Sequence, residues 1–167
     1  MRIPTGVGTV LVMTTTPTTT TTYTADDILG FVAEYISALD AEDIQRRSDY
    51  LDAIAKSPAD RQRMVDTWGY RSYTYSADRG RRYIRIVQHD MMGHAQTGQR
   101  SVHAFVEVTT GLVYKPAGWT APAKGARYDL TSETDRALIA EHCEFSGGYL
   151  YADRVAEIRR SAEEVAS

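Results

Sequence analysis

The stretch Ser101–Leu130, SVHAFVEVTTGLVYKPAGWTAPAKGARYDL, decides the fold that the sequence predicts. From Val102 to Val108, valine or alanine occupies every second position, and this period of two is typical of a strand with one face against a core. The triplet Thr109–Gly111 predicts a short turn, because its glycine can take a positive φ angle. Leu112–Tyr114 then predicts the partner strand, which ends before Pro116 because proline has no N–H to donate to a sheet. The stretch therefore predicts a β-hairpin.

The segment that follows the hairpin has an unusual composition for a loop. Between Lys115 and Arg127 it contains three cations, one tryptophan, two prolines and no acid. The cations are Lys115, Lys124 and Arg127, and the tryptophan is Trp119. Because proline restricts the backbone, these side chains should be held in place. The composition predicts a loop that presents a binding surface.

This stretch resembles a family of small uncharacterised bacteriophage proteins. The resemblance is carried by the pattern K-x-A-x-W-x-x-P-A-K-x-x-R from Lys115 to Arg127, which follows a V-H-x-F-V strand that begins at Val102. The segment Gly147–Tyr151 is similar to the Gly-Tyr-Leu segment that closes the family's domain, whereas Gly118 stands where the family has a serine. The resemblance spans roughly residues 70–151 and implies a phage origin, and the family has no established activity.

The flanking sequence predicts helices on both sides of a small sheet. Thr24 is a candidate N-cap followed by an amphipathic helix to about Leu39 and a second helical stretch, and Ser57-Pro58 predicts the start of a short third helix that stops at Gly69. The fold class that follows is α+β, with an antiparallel β-meander of about four strands and helices that cover at most one of its faces. The predicted divisions are a disordered Thr-rich leader at 1–24 and a single domain at 25–167, which is helical at 25–69, sheet at 70–117, loop at 118–130 and helical at 131–167.

The first two strands of the meander are less sharply defined than the hairpin. A period of two predicts strands over Tyr70–Ser76 and Arg81–Gln88, joined by a turn at Ala77–Gly80. The segment Asp90–Gln99 contains two glycines and few periodic apolar residues, so it is predicted to be a loop.

Charge is segregated along the chain. Residues 61–127 contain eleven Lys or Arg and four Asp or Glu, a net of +7, while the whole chain carries −3, so the rest carries −10. Such segregation bears on the choice of partner and favours a phosphate-bearing ligand. The single cysteine, Cys143, fits a reducing compartment, and there is neither a signal peptide nor an apolar run that could cross a membrane. We expect a protein of the infected host cell's cytoplasm, with virion association as the alternative, and no membrane partner.

The sequence also predicts a basic, aromatic binding face. Aromatic rings interleaved with cations bind single-stranded nucleic acid or nucleotides through stacking and Coulomb attraction. The candidate ligand-binding residues are Tyr73, Arg81, Tyr83 and Arg85 on the sheet, with Tyr75 on the same face, and Lys115, Trp119, Lys124 and Arg127 at its edge. The alternative is that the tyrosines pack under helices while the arginines pair with the acidic flanks.

Enzymatic chemistry is less well supported. His89 and His94 are five apart, whereas a helical metal pair would be four apart, so we predict neither a metal site nor a cofactor. A Cys143–His142 nucleophile is disfavoured by their adjacency on a helix, although Glu107 and His103 could form an acid–base pair on one strand face. Two functions remain open. The first is a non-enzymatic binding module for single-stranded nucleic acid or a nucleotide. The second is a protein-interaction role, in which the loop from Lys115 to Arg127 docks on a partner protein in the virion, on a host factor or on a second copy of the chain.

Overall fold

A computed structural model describes residues 22–167 of the chain. The elements, in order, are α1 (Ala25–Ile54), α2 (Pro58–Trp68), β1 (Tyr73–Arg79), β2 (Tyr83–Met92), β3 (Ala95–Glu107), β4 (Leu112–Tyr114), β5 (Tyr128–Asp129), α3 (Glu133–His142), a 3₁₀ turn (Gly148–Leu150) and α4 (Ala152–Val165). The leader predicted at 1–24 falls outside the described residues apart from its last three positions. Of these, Tyr23 already packs edge-to-face on Phe31, with ring centroids 5.5 Å apart.

The strands form one antiparallel sheet in the order β1-β2-β3-β4-β5, so every strand pairs with its neighbours in sequence. The α+β meander with helices at both ends is thus confirmed. The sheet has one strand more than predicted, because Tyr128–Asp129 lies within the predicted loop 118–130 and pairs with β4. The predicted loop Asp90–Gln99 is also wrong: it is the end of β2 and the start of β3, which pair as far as Met92 and Ala95.

Helix α1 begins where the sequence predicts and runs further. Thr24 and Asp27 form a reciprocal capping box, with the Asp27 amide donating to Thr24 Oγ1 and the Thr24 amide donating to the Asp27 carboxylate. The predicted division after Leu39 is wrong: no glycine or proline follows it before Ile54, and α1 is one helix of 30 residues in total. Helix α2 is capped by Ser57 with Pro58 in its first turn, as predicted.

The second half of α1 is anchored to β1 by a buried acid. Asp43 is fully buried and accepts hydrogen bonds from the amides of Ser72 (2.8 Å) and Tyr73 (3.1 Å) as well as from Arg46. A buried carboxylate is tolerated when it is paired and hydrogen-bonded in this way. Asp43 therefore fixes where the sheet begins relative to the helix.

One face of the sheet packs against the helices and forms the core. In register, Ile84 pairs with Val106 and Ile86 with Ala104, and all four side chains belong to the main hydrophobic cluster. Helices α1, α3 and α4 contribute to this cluster the side chains of Ile28, Val32, Tyr35, Leu39, Leu138, Ile139, Val155 and Ile158. Because side chains alternate along a strand, the residues between these positions point to the opposite face.

The alternation that predicted β3 is interrupted by a bulge. Ile86 pairs with Ala104, but Val87 pairs with Val102, which leaves His103 as an extra residue on β3. His103 is consequently buried on the helix-covered side, where its ring lies 5.5 Å from that of Tyr75 and 5.8 Å from that of Tyr149. The prediction that His103 shares a strand face with Glu107 is therefore wrong.

Candidate ligand-binding surface

The face of the sheet that the helices leave uncovered, here called the open face, is aromatic at its centre. Tyr83 and Arg85 of β2 lie on it opposite Glu107 and Phe105 of β3, and Phe105 pairs with Tyr114 of β4. The rings of Phe105 and Tyr114 each meet the Tyr83 ring edge-on with centroids 5.9 Å apart. Such edge-to-face contacts fix the three rings relative to one another.

The loop predicted to present Trp119 folds into a small hairpin, here called the Trp hairpin, over residues 115–123. Its two prolines form a bridge across it, the Ala117 amide donates to the Ala121 carbonyl (3.0 Å) and the Ala123 amide donates to the Lys115 carbonyl (2.8 Å). Residues 118–120 are left as its tip. The prolines thus stiffen a turn that backbone hydrogen bonds already close. This turn places the tryptophan over the open face.

Trp119 is held there by two arginines. The guanidinium carbons of Arg85 and Arg100 lie 5.3 and 4.9 Å from the indole centroid, and Arg85 also donates to the Trp119 carbonyl at 3.4 Å. Cation–π contacts of this kind contribute roughly 0.5–1 kcal/mol each at exposed sites. The indole nevertheless remains 37% exposed. The hairpin tip is therefore anchored without being buried.

Next to Trp119 a shallow pocket of about 190 Å³ is lined mainly by arginines and aromatic rings. Its lining residues are Gly80, Arg81, Arg82, Tyr83, Arg85, Phe105 and Thr120. Two of the arginines are neutralised locally, since Arg82 pairs with Glu107 and Arg85 with Asp78. Hydrogen bonds from Thr110 and Arg82 hold the pKa of Glu107 below its usual value, so this acid is ionised at neutral pH.

One arginine of the pocket, Arg81, and two cations outside its lining, Arg100 and Lys124, carry uncompensated charge. Within residues 22–167, neither Arg81 nor Arg100 forms an ion pair. Lys124, beyond the Trp hairpin, is exposed and also forms none of these pairs. The arrangement can attract an anion and can offer aromatic surface to an adjoining planar group.

Two predicted site residues lie elsewhere. Tyr73 and Tyr75 are on the helix-covered face, because Tyr75 pairs with the buried Gln88 and alternates in step with the core positions of β2. Tyr73 stacks on Phe145 with centroids 5.4 Å apart and an interplanar angle of 9°. The prediction that these tyrosines share a face with Tyr83 is wrong, and both belong to the packing between sheet and helices.

Arg127 forms hydrogen bonds that stabilise the fold. Its Nε donates to the Leu150 carbonyl (2.8 Å), and its Nη1 donates to the carbonyls of Gly125 (2.8 Å) and Lys124 (3.2 Å). A guanidinium whose donors are used in this way ties residues 124–127 to the 3₁₀ turn. Lys115 lies at the base of the hairpin, with its Nζ 4.6 Å from the Tyr151 ring centroid.

A sequence model of a protein family of unknown function (DUF7717) matches residues 13–152. The chain belongs to this family. No curated protein and no solved structure matches the chain. The matched range contains the open face, the Trp hairpin and the 3₁₀ turn, and it ends at the first residue of α4.

Sequence reasoning missed three residues of the site in this DUF7717 member. Arg100 was assigned to no surface, and Phe105 and Arg82 were not proposed to contribute to it. Phe105 follows from the same alternation that placed Glu107 on the open face, so that signal was present in the sequence. Arg100 could not be found in this way, because only the fold of the Trp hairpin brings position 119 to it.

The reactive side chains of this DUF7717 member are poorly placed for catalysis. His103 lies on the helix-covered side, while Glu107 bonds Arg82 and Thr110, so the two do not form an acid–base pair. Burial raises the pKa of the Cys143 thiol to about 12, which disfavours the thiolate needed for nucleophilic attack.

Residues 22–167 contain neither a metal-binding cluster nor a helix that could span a membrane. No group of three or more His, Cys, Asp or Glu side chains there is arranged to hold a metal ion. Likewise, none of the helices in this part of the chain is long and apolar enough to cross a membrane.

Proposed function

We propose that this protein is a non-enzymatic binding module for a phosphate-bearing ligand, either single-stranded nucleic acid or a nucleotide. In this proposal the ligand lies across the open face beside the Trp hairpin. Arg81, Arg100 and Lys124 neutralise its phosphates, while Tyr83 and Trp119 provide aromatic surface for its bases. Lys115 contributes charge from the base of the hairpin.

The observation that carries the proposal is the excess of arginine around the pocket beside Trp119, where the half-buried Tyr83 and the exposed Trp119 offer aromatic surface. Both nearby acids, Asp78 and Glu107, are already paired, so the unpaired cations meet little opposing charge. Base–aromatic stacking and phosphate neutralisation are the two contributions by which sequence-tolerant single-strand binders work. Both groups of side chains lie within one matched family range.

We also propose that the protein is encoded by a bacteriophage and acts in the cytoplasm of the infected host cell. The support is the resemblance of the Lys115–Arg127 pattern to small phage proteins. A virion-associated role is the alternative location. Cell fractionation and analysis of purified particles from an infected culture would separate the two locations.

The proposed function can be tested with two charge-removing variants and a matched control. Arg81→Ala and Arg100→Ala should each weaken binding of a single-stranded oligonucleotide by about threefold to tenfold, measured by fluorescence anisotropy. Arg160→Ala, which removes an exposed charge from α4, should leave the affinity unchanged. Equal losses in all three variants would indicate a response to net charge alone and would contradict a site on the open face.

A second candidate function is docking to a partner protein or to a second copy of the chain through the Trp hairpin. The favouring observation is that Trp119 stands 37% exposed at the tip of a cross-linked turn, with arginines against its ring. Trp and Arg are enriched among residues that dominate interface energies. Self-association would be detected by mass measurement in solution, and loss of the dimer in Trp119→Ala would assign it to the hairpin.

A further inference from the structure

A second cavity lies on the other side of the Trp hairpin's base. It has a volume of about 160 Å³ and is bounded by β3, by the start of the hairpin and by the loop that leads into α4. The residues that give it chemical character are Gln88, Ser101, His103, Lys115, Ser146 and Tyr151. Strand β3 pairs with β4 only at Phe105 and Val106, so this cavity occupies the edge that β4 leaves free.

The floor of the cavity is polar and buried. Gln88 is 8% exposed, and its amide nitrogen donates to the Phe145 carbonyl at 3.2 Å and to the Tyr75 hydroxyl at 3.5 Å. Its carbonyl oxygen accepts a bond from Ser101 Oγ at 3.4 Å. Bonds of 3.4–3.5 Å are long, so both ends of the amide can still bond a better-placed partner.

His103 supplies a second polar group to the same floor. It is 5% exposed, and one ring nitrogen, Nε2, lies 2.9 Å from the Tyr149 hydroxyl. The other ring nitrogen has no hydrogen-bond partner within residues 22–167. A neutral imidazole can donate or accept at that nitrogen according to its tautomer. The side chain is thus a buried polar group with an unused position at a cavity.

The charges around the floor favour a neutral group inside the cavity. Burial lowers the pKa of His103 to about 4, so its ring is uncharged at neutral pH. Burial of the Glu144 carboxyl opposes its ionisation, but hydrogen bonds from Ser146 and Gly148 outweigh this and lower its pKa. An ionised Glu144 close to an uncharged His103 would repel a phosphate placed at the floor.

The mouth of the cavity has the opposite character. The Lys115 ammonium lies over the ring of Tyr151, which is 56% exposed, so this charge stands near the surface. A ligand with an uncharged polar ring and an attached phosphate would therefore enter ring first, with its phosphate at Lys115. A single six-membered ring needs less room than a fused bicyclic one, so of the two it is the easier fit in a cavity of about 160 Å³.

We propose that this cavity binds one pyrimidine base of the nucleotide or single strand, with Gln88 and His103 bonding the edge of the base and Lys115 contacting its phosphate. The inference rests on the proposed function and adds a base preference to it. The open face supplies sequence-independent affinity, and the cavity supplies discrimination. Extruded bases are read elsewhere by hydrogen bonds of this kind to their Watson–Crick edge.

The test compares oligonucleotides of about eight nucleotides, made only of thymine or only of adenine, by fluorescence anisotropy. The wild-type protein should prefer the pyrimidine strand by about tenfold, which two net hydrogen bonds can supply. Ser101→Phe places a ring in the cavity and should reduce the preference to about one while leaving the adenine strand bound. Gln99→Phe, two residues away on β3 and outside the cavity lining, is the matched control and should keep the preference.

A second readout follows the site directly. Thymidine monophosphate should shift the nuclear magnetic resonance signals of the His103 ring in the wild-type protein but not in Ser101→Phe, and this would also show that a free nucleotide is sufficient. Binding of both strands with equal affinity, or a preference that survives Ser101→Phe, would overturn the cavity inference and leave the open-face proposal standing. Failure of every oligonucleotide to bind at low salt would refute both.

Discussion

Replacing His103 with glutamine should flatten the loss of stability that the wild-type protein undergoes between about pH 7 and pH 4. The folded-state pKa of His103 is lowered to about 4 by burial, whereas in the unfolded chain it is about 6.5. Between these values the unfolded state binds more protons, so the free energy of unfolding falls as the pH falls. At about 1.36 kcal/mol per unit, the loss on reaching pH 4 amounts to about 3 kcal/mol.

The assay is urea unfolding at several pH values in this range. Acidification also protonates carboxyl groups with a lowered pKa, such as Glu107 and Glu144, and this lowers the free energy of unfolding in wild type and variant alike. The informative quantity is therefore the difference in free energy of unfolding between wild type and variant at each pH. His103→Gln should be less stable at pH 7 but should lose about 3 kcal/mol less on acidification. His94→Gln, at an exposed position, should follow the wild-type curve. Parallel curves for wild type and His103→Gln would refute the burial of a neutral imidazole.

Two further predictions, each made with a pair of variants, concern the residues around the site. Gly69→Ala should destabilise the protein by about 2–3 kcal/mol in urea unfolding, because Gly69 has φ 73° and a Cβ there would clash with the Gly93 carbonyl oxygen. Gly30→Ala, with open space around its Cβ, should instead stabilise α1 by about 0.5–1 kcal/mol, and a loss of stability there would count against the helix as described. Arg127→Ala should cost about 1–3 kcal/mol of stability and leave oligonucleotide affinity unchanged, because its donors bind carbonyl groups. Lys124→Ala should show the reverse, and an Arg127 variant that is stable but binds weakly would refute this division of roles.

Features that depend on adjacent residues could be predicted from the sequence. Thr24 and Ser57 cap their helices because each hydroxyl lies within reach of an amide three residues on, a relation visible in the sequence. The turn at Gly111 follows from a triplet between two alternating runs. Such local signals established the α+β meander and the position of the helices around it.

Which side chains of β1 and β2 share a face depends on the number of residues in the turn between these strands, and the sequence does not specify that number. Arg79 pairs with Ile84, which leaves four residues between them and places Tyr73 and Tyr83 on opposite faces. A turn with one residue more or fewer would have brought these tyrosines together, because a shift of one residue exchanges the faces of a strand. Tyr73 therefore lies on the face opposite to Tyr83, whereas Tyr83 and Arg85 share a face.

Long-range contacts explain the rest of what the sequence did not indicate. The contact between Arg100 and Trp119 requires the Trp hairpin to fold back over the sheet, and the bridge between Pro116 and Pro122 that allows this is a tertiary feature. The polar stretch that begins β3 resembles a loop in composition, yet it pairs with β2 because the hairpin extends beyond the core. The sequence predicts Arg127 as a binding cation, because the carbonyl groups that it binds are brought to it only by the folded chain.

The measurement that tests the central claim most directly is the salt dependence of Trp119 fluorescence during titration with a single-stranded oligonucleotide. Trp68→Phe leaves Trp119 as the one tryptophan in the chain, so the signal reports the open face. With about three unpaired cations engaged, affinity should fall about twentyfold between about 50 and 200 mM salt, accompanied by quenching at the lower salt. An unchanged signal, or an affinity that salt does not alter, would contradict phosphate binding at the open face and would favour a protein partner for the Trp hairpin.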